Sequence, residues 1–160
     1  MDYIIYSIPV LAVLGFIFIA WKSAWVNKQS EGTQKMQDIA RRVREGAMAF
    51  LKAEYRYLIV FVIAVAILLF FKSTTEADSN GFVVLSFIVG AFLSGLAGNL
   101  GMRIATKANV RTTEAAKNSL NKALGIAFSG GSVMGIGVVS LGVIGLSLLF
   151  ILYHYVIGVN

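Results

Sequence analysis

Cysteine is absent from this 160-residue chain, which excludes disulfide scaffolds, thiolate metal sites and cysteine nucleophiles together. Charge is scarce as well. Only 14% of the residues are charged and 58% are hydrophobic, against about 25% and 45–50% in an ordinary soluble domain. A soluble chain of this length would have to cover its core with polar surface, and too little polar sequence is available to do so. Carboxylates are few: Asp2, Glu31, Asp38, Glu45, Glu54, Glu76, Asp78 and Glu114. They are scattered, with only Glu76 and Asp78 close together, so the chain has no paired-aspartate helix face of the kind a magnesium-dependent phosphoryl-transfer site needs. A G-x-x-x-x-G-K-[ST] phosphate loop is also missing. Gly130-Gly131-Ser132-Val133-Met134 lacks the final glycine of a nucleophile elbow, and Gly98-Asn99-Leu100-Gly101 has the form of an RNA-binding loop but lies inside an apolar run. His154, the one histidine, stands near the end of the last run and reads as an interfacial residue rather than a metal ligand. The residues by themselves contain no catalytic, cofactor-binding or metal-binding site.

Long apolar runs are what the chain does have. A helix needs about 20 apolar residues to cross a hydrocarbon core of about 30 Å, and four runs approach that length, at residues 3–25, 50–72, 81–103 and 123–153. The predicted fold is therefore an all-α integral membrane structure with four transmembrane helices. The first run (YIIYSIPVLAVLGFIFIAW) starts after Met1-Asp2 and leads into Trp21, Lys22 and Trp25, the flanks of an uncleaved helix rather than of a signal peptide. The second has a strongly apolar centre from Leu58 to Phe71 that is too short to cross at ~1.5 Å per residue. It borrows length from Ala47, Phe50, Leu51 and Tyr55, with Lys52 and Arg56 snorkelling toward the headgroups.

The net charge of +6 is distributed unevenly. Lys22, Lys28, Lys35, Arg41, Arg42, Arg44, Lys52 and Arg56 lie in or beside the first connection, and Arg103, Lys107, Arg111, Lys117 and Lys122 around the third; only Lys72 is left for the second. By the positive-inside rule, connections 26–49 and 104–122 are cytoplasmic and 73–80 is the outer connection, with the N-terminus outside. The expected location is the cell (inner) membrane, multi-pass, with the lipid bilayer as partner. The basic balance is a topology signal, and nucleic acid is not an expected partner.

Within the first connection, Met36, Ile39, Ala40, Val43, Ala47, Phe50 and Leu51 follow a helical period, with Gln37, Asp38, Arg41, Arg42 and Glu45 on the other side. This pattern predicts an amphipathic helix leading into the second span. The third run carries Gly90, Ser94, Gly95, Gly98, Asn99 and Gly101. The fourth carries Gly131, Gly135, Gly142 and Gly145, with Val138 completing the stripe. Small residues at such spacing let helix backbones approach closely, so these two helices are predicted to face protein, while the bulkier first and second face lipid more. Asn99 in mid-span reads either as an interhelical hydrogen-bonding residue, the commoner use, or as a pathway residue.

The stretch GLAGNLGMRIATKANVRTTEAAKNSLNKALGIAFSGGSVMGIGVVSLGVIG, from Gly95 to Gly145, resembles the membrane-bound, ion-pumping pyrophosphatases. Its specific parts are GMRIATKANVRT, the EAA that follows, and FSGGSVMG. Upstream, EGTQKMQDIARRVREGAMAFLKAEY is similar to the first cytoplasmic connection and start of the second helix of that family. The resemblance implies a larger fold of about sixteen helices, of which these four are the N-terminal part and belong to an outer ring. It implies hydrolysis of cytosolic pyrophosphate coupled to outward movement of H+ or Na+, Mg2+ and in some members K+ as cofactors, and a homodimer. The family's acidic signature, of the form D-V-G-A-D-L-V-G-K, has no counterpart here, so no catalytic or metal-binding residue carries over and the chain alone should be inactive. An alternative reading of the same four runs is a stand-alone scaffold or channel subunit that oligomerises through its glycine faces. Against it stand the extent of the resemblance and the lack of an ionisable residue buried in a span to line an ion path.

Overall fold

A computed structural model describes residues 2–75 and 81–157, with side chains from Ser7 to Thr75 and from Gly81 to Tyr155. Among them are four long helices and no strand: α1, Asp2–Asn27; α2, Gln34–Thr75; α3, Phe82–Ala116; and α4, Leu120–Ile151, which runs into a π-helical turn, Leu152–Ile157. All four are long and apolar enough to cross a membrane, and the protein is a multi-pass membrane protein. The predicted outer connection lies mostly outside the described residues, as do Glu76 and Asp78.

Each helix is longer than the apolar run that nucleates it. The amphipathic segment and the second run form one continuous helix, α2, of 42 residues, about 63 Å at 1.5 Å per residue, roughly twice the hydrocarbon thickness. Its first turns therefore project beyond the apolar layer. In the same way α3 continues past Arg103 to Ala116, so only Lys117 to Ser119 separate it from α4. Ser119 supplies the stop and the restart: its backbone is extended (φ −158°, ψ 118°) and its hydroxyl accepts from the Lys122 amide, satisfying one of the unpaired amides at a helix start.

The core sits toward the ends that carry the basic connections. Val26, Ile104, Ala108, Ala115, Ala123, Ile126 and Val133 form one buried cluster from α1, α3 and α4, against which Ile19 packs. α4 is the central helix. It forms the α3–α4 hairpin and also carries α1 along its length, so α1 is less peripheral than its bulky residues suggest. The approach is possible because Gly15 of α1 lies against the Ser140 hydroxyl, where a β-carbon would collide, and Ile19 lies over Gly137. α2 packs on α3 and on no other described helix. Its main fastenings are Leu51, which is buried, and the Tyr55 hydroxyl, which donates to the Gly95 carbonyl at 2.5 Å. At the opposite end, Tyr153 closes the α3–α4 hairpin by donating to the Phe82 carbonyl (2.9 Å), with Ser86 Oγ 2.8 Å from its hydroxyl.

Candidate functional site: a clasp between the basic connections

Ile104, Ala108, Arg111 and Ala115 of α3 are spaced to share one helix face, and all four are buried. Three of them belong there as apolar residues. Arg111 does not, and a guanidinium whose side chain is 7% exposed requires partners. α1 provides them. A helix leaves its last carbonyls unpaired and its C-terminus partly negative, and α1 has no basic residue in its own last turn. Arg111 reaches across: Nη2 donates to the Asn27 carbonyl (3.3 Å) and Nε to the Gln29 carbonyl (3.2 Å). The same Nη2 donates to Glu31 Oε1 at 2.6 Å, and Nη1 anchors back on its own helix at the Lys107 carbonyl, 2.8 Å. One side chain thus caps α1, neutralises Glu31 and fixes the course of the first connection.

The connection then turns sharply. Gly32 has φ +78°, a left-handed conformation that side chains disfavour. Its amide bonds to Ser30 Oγ (3.1 Å) and its carbonyl accepts from Gln37 Nε2 (3.0 Å), which sets the first turn of α2. Space gives a second reason for glycine. A β-carbon there would run into the Glu114 carboxylate and come within 2.7 Å of Met36 Sδ. Glu114 is itself held by Lys117 Nζ at 2.5 Å, and that ammonium also lies 3.0 Å from Met36 Sδ. Glu31 and Gly32 of the EGT segment therefore meet Arg111 and Glu114, some 80 residues away, at a single corner.

The corner holds the two basic connections in register, and the acids around it are paired. Glu31 is committed to Arg111, Glu114 to Lys117 and Asp38 to Arg41. Among the described residues no three His, Asp or Glu side chains converge as a metal would require. Carboxylates already neutralised by cations do not fit the oxygen cage of Mg2+. His154 is exposed and stacks on Phe150, with centroids 5.5 Å apart, and meets Tyr155 edge-on at 4.8 Å.

The small residues separate into two sets. Gly101 faces Met134, whose Cγ would stand 2.9 Å from a β-carbon; Gly145 lies against Leu93; Gly98 is near the Tyr55 hydroxyl. Gly90, Gly131, Gly135 and Gly142 face open space. Gly90, Ser94, Gly142 and Gly145 line an apolar groove of about 410 Å³ between α3 and α4. Asn99 Oδ1 accepts from Arg103 Nε at 2.6 Å, one turn along the same helix, and among the described residues Asn99 has no interhelical bond. Two further close approaches are Gly15 on Ser140 and Gly130, where a β-carbon would stand 2.8 Å from that of Ala108. The seven-residue step from Gly130 to Gly137 was the available signal for this face.

Comparison with known proteins matches the sequence to a family. A family described as "Inorganic H+ pyrophosphatase" matches residues 13–159. A protein of Clostridium tetani named as a K(+)-stimulated pyrophosphate-energized sodium pump is 47% identical over 136 residues, covering 84% of this chain and 19% of that protein. A Bacteroides thetaiotaomicron protein of the same description is 41% identical over 158 residues, 98% of this chain and 22% of its own length. A K(+)-insensitive pyrophosphate-energized proton pump of Methanosarcina mazei is 35% identical over 153 residues, 96% of this chain and 22% of the pump. The chain thus spans about a fifth of the length of the relatives it matches. With the match running through both halves of the clasp, the chain belongs to the inorganic H+ pyrophosphatase family of membrane ion pumps.

Proposed function

We propose that these four helices are outer-ring scaffold of a pump that couples hydrolysis of cytosolic pyrophosphate to outward transport of H+ or Na+. In this reading the clasp side is cytoplasmic, the N-terminus faces out, and the membrane is the inner cell membrane. The observation that supports the reading is the clasp itself, in which the two stretches that carry the resemblance, EGT and the segment from Arg111 to Glu114, meet and lock the loops. Mg2+, and K+ where it is needed, would be held by the rest of the protein, because the described acids here are committed or dispersed. The complete pump would be a homodimer.

The small-residue groove supports the same reading. Gly90 and Gly142 leave open an apolar channel that α1 and α2 do not fill, and small residues are what a further helix packs against in a membrane. We assign that groove to a helix from the remaining four-fifths of the protein, and the same use to Gly131 and Gly135. The test compares purified residues 1–160 with the complete protein for Mg2+-dependent pyrophosphate hydrolysis in detergent. Hydrolysis by the complete protein alone is expected, and hydrolysis by residues 1–160 would overturn the assignment. Orientation has its own test, since a chain without cysteine accepts a single reporter: Ser30→Cys should react with an impermeant maleimide only from the cytoplasmic side.

A further inference from the structure

Beside the Tyr55–Gly95 contact, a groove of about 690 Å³ lies between α2 and α3 and is lined by these two helices alone. Three cations line it: Lys52, Arg56 and Arg103. No carboxylate does, and among the described residues neither Lys52 nor Arg56 has an ion-pair partner. Arg103 is oriented rather than neutralised. Its Nε is spent on Asn99, which aims the guanidinium and leaves its Nη donors without a described partner.

The depth of these cations is set by sequence. No side chain is charged from Tyr57 to Phe71 in α2, or from Phe82 to Met102 in α3. Arg56 and Arg103 are therefore the first charges met on leaving the apolar layer toward the basic connections, and with Lys52 they line one groove on adjacent helices. The edge of the apolar layer is where phospholipid phosphates lie. Below the cations the groove continues along Ile59 and Val60, both more than half exposed. A free phosphate would use only the cationic end, whereas a lipid has a phosphate for the cations and acyl chains for the apolar wall.

We propose that this groove binds an anionic phospholipid of the leaflet on the clasp side, its phosphate held by Lys52, Arg56 and Arg103 and one acyl chain lying along Ile59 and Val60. Arg is suited to this because its planar fork can meet two phosphate oxygens at once. The bound lipid fills the gap between α2 and α3, and so fastens α2, which packs on α3 alone among the described helices.

The test uses the complete pump in nanodiscs containing photoreactive phosphatidylglycerol or phosphatidylcholine with the same reactive acyl chain, and maps the crosslinked peptides by mass spectrometry. Crosslinks from phosphatidylglycerol should concentrate on residues 55–63 and exceed those from phosphatidylcholine at least fivefold. Each cation removed should lower that yield about fivefold, in Arg56→Gln alone and cumulatively with Lys52→Gln and Arg103→Gln, while Lys28→Gln leaves it unchanged. Because Arg56 is exposed and unpaired, the single variant remains informative if the triple variant does not fold. Equal labelling by the two lipids, no labelling because another part of the pump covers the groove, or an unchanged yield in Arg56→Gln would overturn the proposal. Displacement of phosphatidylglycerol by millimolar pyrophosphate would overturn it too, and assign the cations to a soluble anion.

Discussion

Replacing Arg111 with alanine is the sharpest perturbation of the clasp. Besides the bond back to the Lys107 carbonyl of its own helix, it removes two charge-assisted bonds across to backbone carbonyls and one to Glu31, each of a type worth about 1.5–3 kcal/mol. The sum overstates the loss. The carbonyl bonds are long, at 3.2 and 3.3 Å, and Glu31 is 39% exposed, so water recovers part of each. A net loss of about 2–4 kcal/mol is expected, below or overlapping the 3–5 kcal/mol for breaking a fully buried ion pair. Since the clasp is local, the effect should be local too, and hydrogen exchange of the complete protein reads it directly. Amides from Lys28 to Gln37 should exchange at least about 30-fold faster, while those of Gly137 to Leu141, deep in α4, stay as they were. Arg111→Lys keeps a charge but not the fork and should fall between. A double-mutant cycle with Glu31→Gln should return a coupling of about 1–2 kcal/mol. Uniform exchange across the chain in Arg111→Ala, or a coupling within about 0.3 kcal/mol of zero, would refute the clasp as an energetic unit.

Three further substitutions test the packing. Gly32→Ala forces a side chain into a left-handed backbone and onto Glu114; a loss of at least about 1–2 kcal/mol should be seen as a lower melting midpoint and faster exchange at the start of α2. Gly130→Ala sets two β-carbons on rigid helices against each other, and overpacking of this kind costs about 1–3 kcal/mol, whereas Gly131→Ala meets open space within these four helices; the pair should differ in the melting midpoint of residues 1–160. Tyr55→Phe deletes the hydroxyl bond to Gly95 and should lower stability by about 0.6–1.7 kcal/mol in the same measurement.

The four helices were legible because an uncharged run of membrane length has few other uses, and the amphipathic segment from Met36 to Leu51 announced the extension of α2 through its period. What could not be read was which small residues touch which neighbour. Helical spacing marks a face, but its partner depends on crossing angles that no local pattern encodes. The clasp was hidden for a related reason. In a count of basic residues Arg111 is one orientation signal among many, and only the fold brings it, buried, to the carbonyl end of α1. Gly32 likewise stood in view inside EGT, but its need for a positive φ and for the space beside Glu114 exists only once α3 arrives.

The glycines of α4 lead one step beyond that comparison. The face this helix buries among the four is Gly130, Val133, Gly137, Ser140 and Leu141. Of the stripe marked in the sequence, Gly145 is buried against Leu93, while Gly131, Gly135, Val138 and Gly142 lie beside that face and stay open. Glycine in a helix interior is unfavourable by roughly 0.8–1.0 kcal/mol relative to alanine, and nothing within these four helices offsets that at Gly135 or Gly142, where a β-carbon would meet no atom within 4 Å. Compensation from beyond the four helices requires a backbone seated on the stripe. Gly142→Leu separates the cases: it should raise the melting of residues 1–160 slightly, by relief of the glycine penalty, and destabilise the complete pump by an overpacking penalty of about 1–3 kcal/mol or more. Equal melting of the complete pump with and without Gly142→Leu would mean that no helix docks there and that the stripe faces lipid.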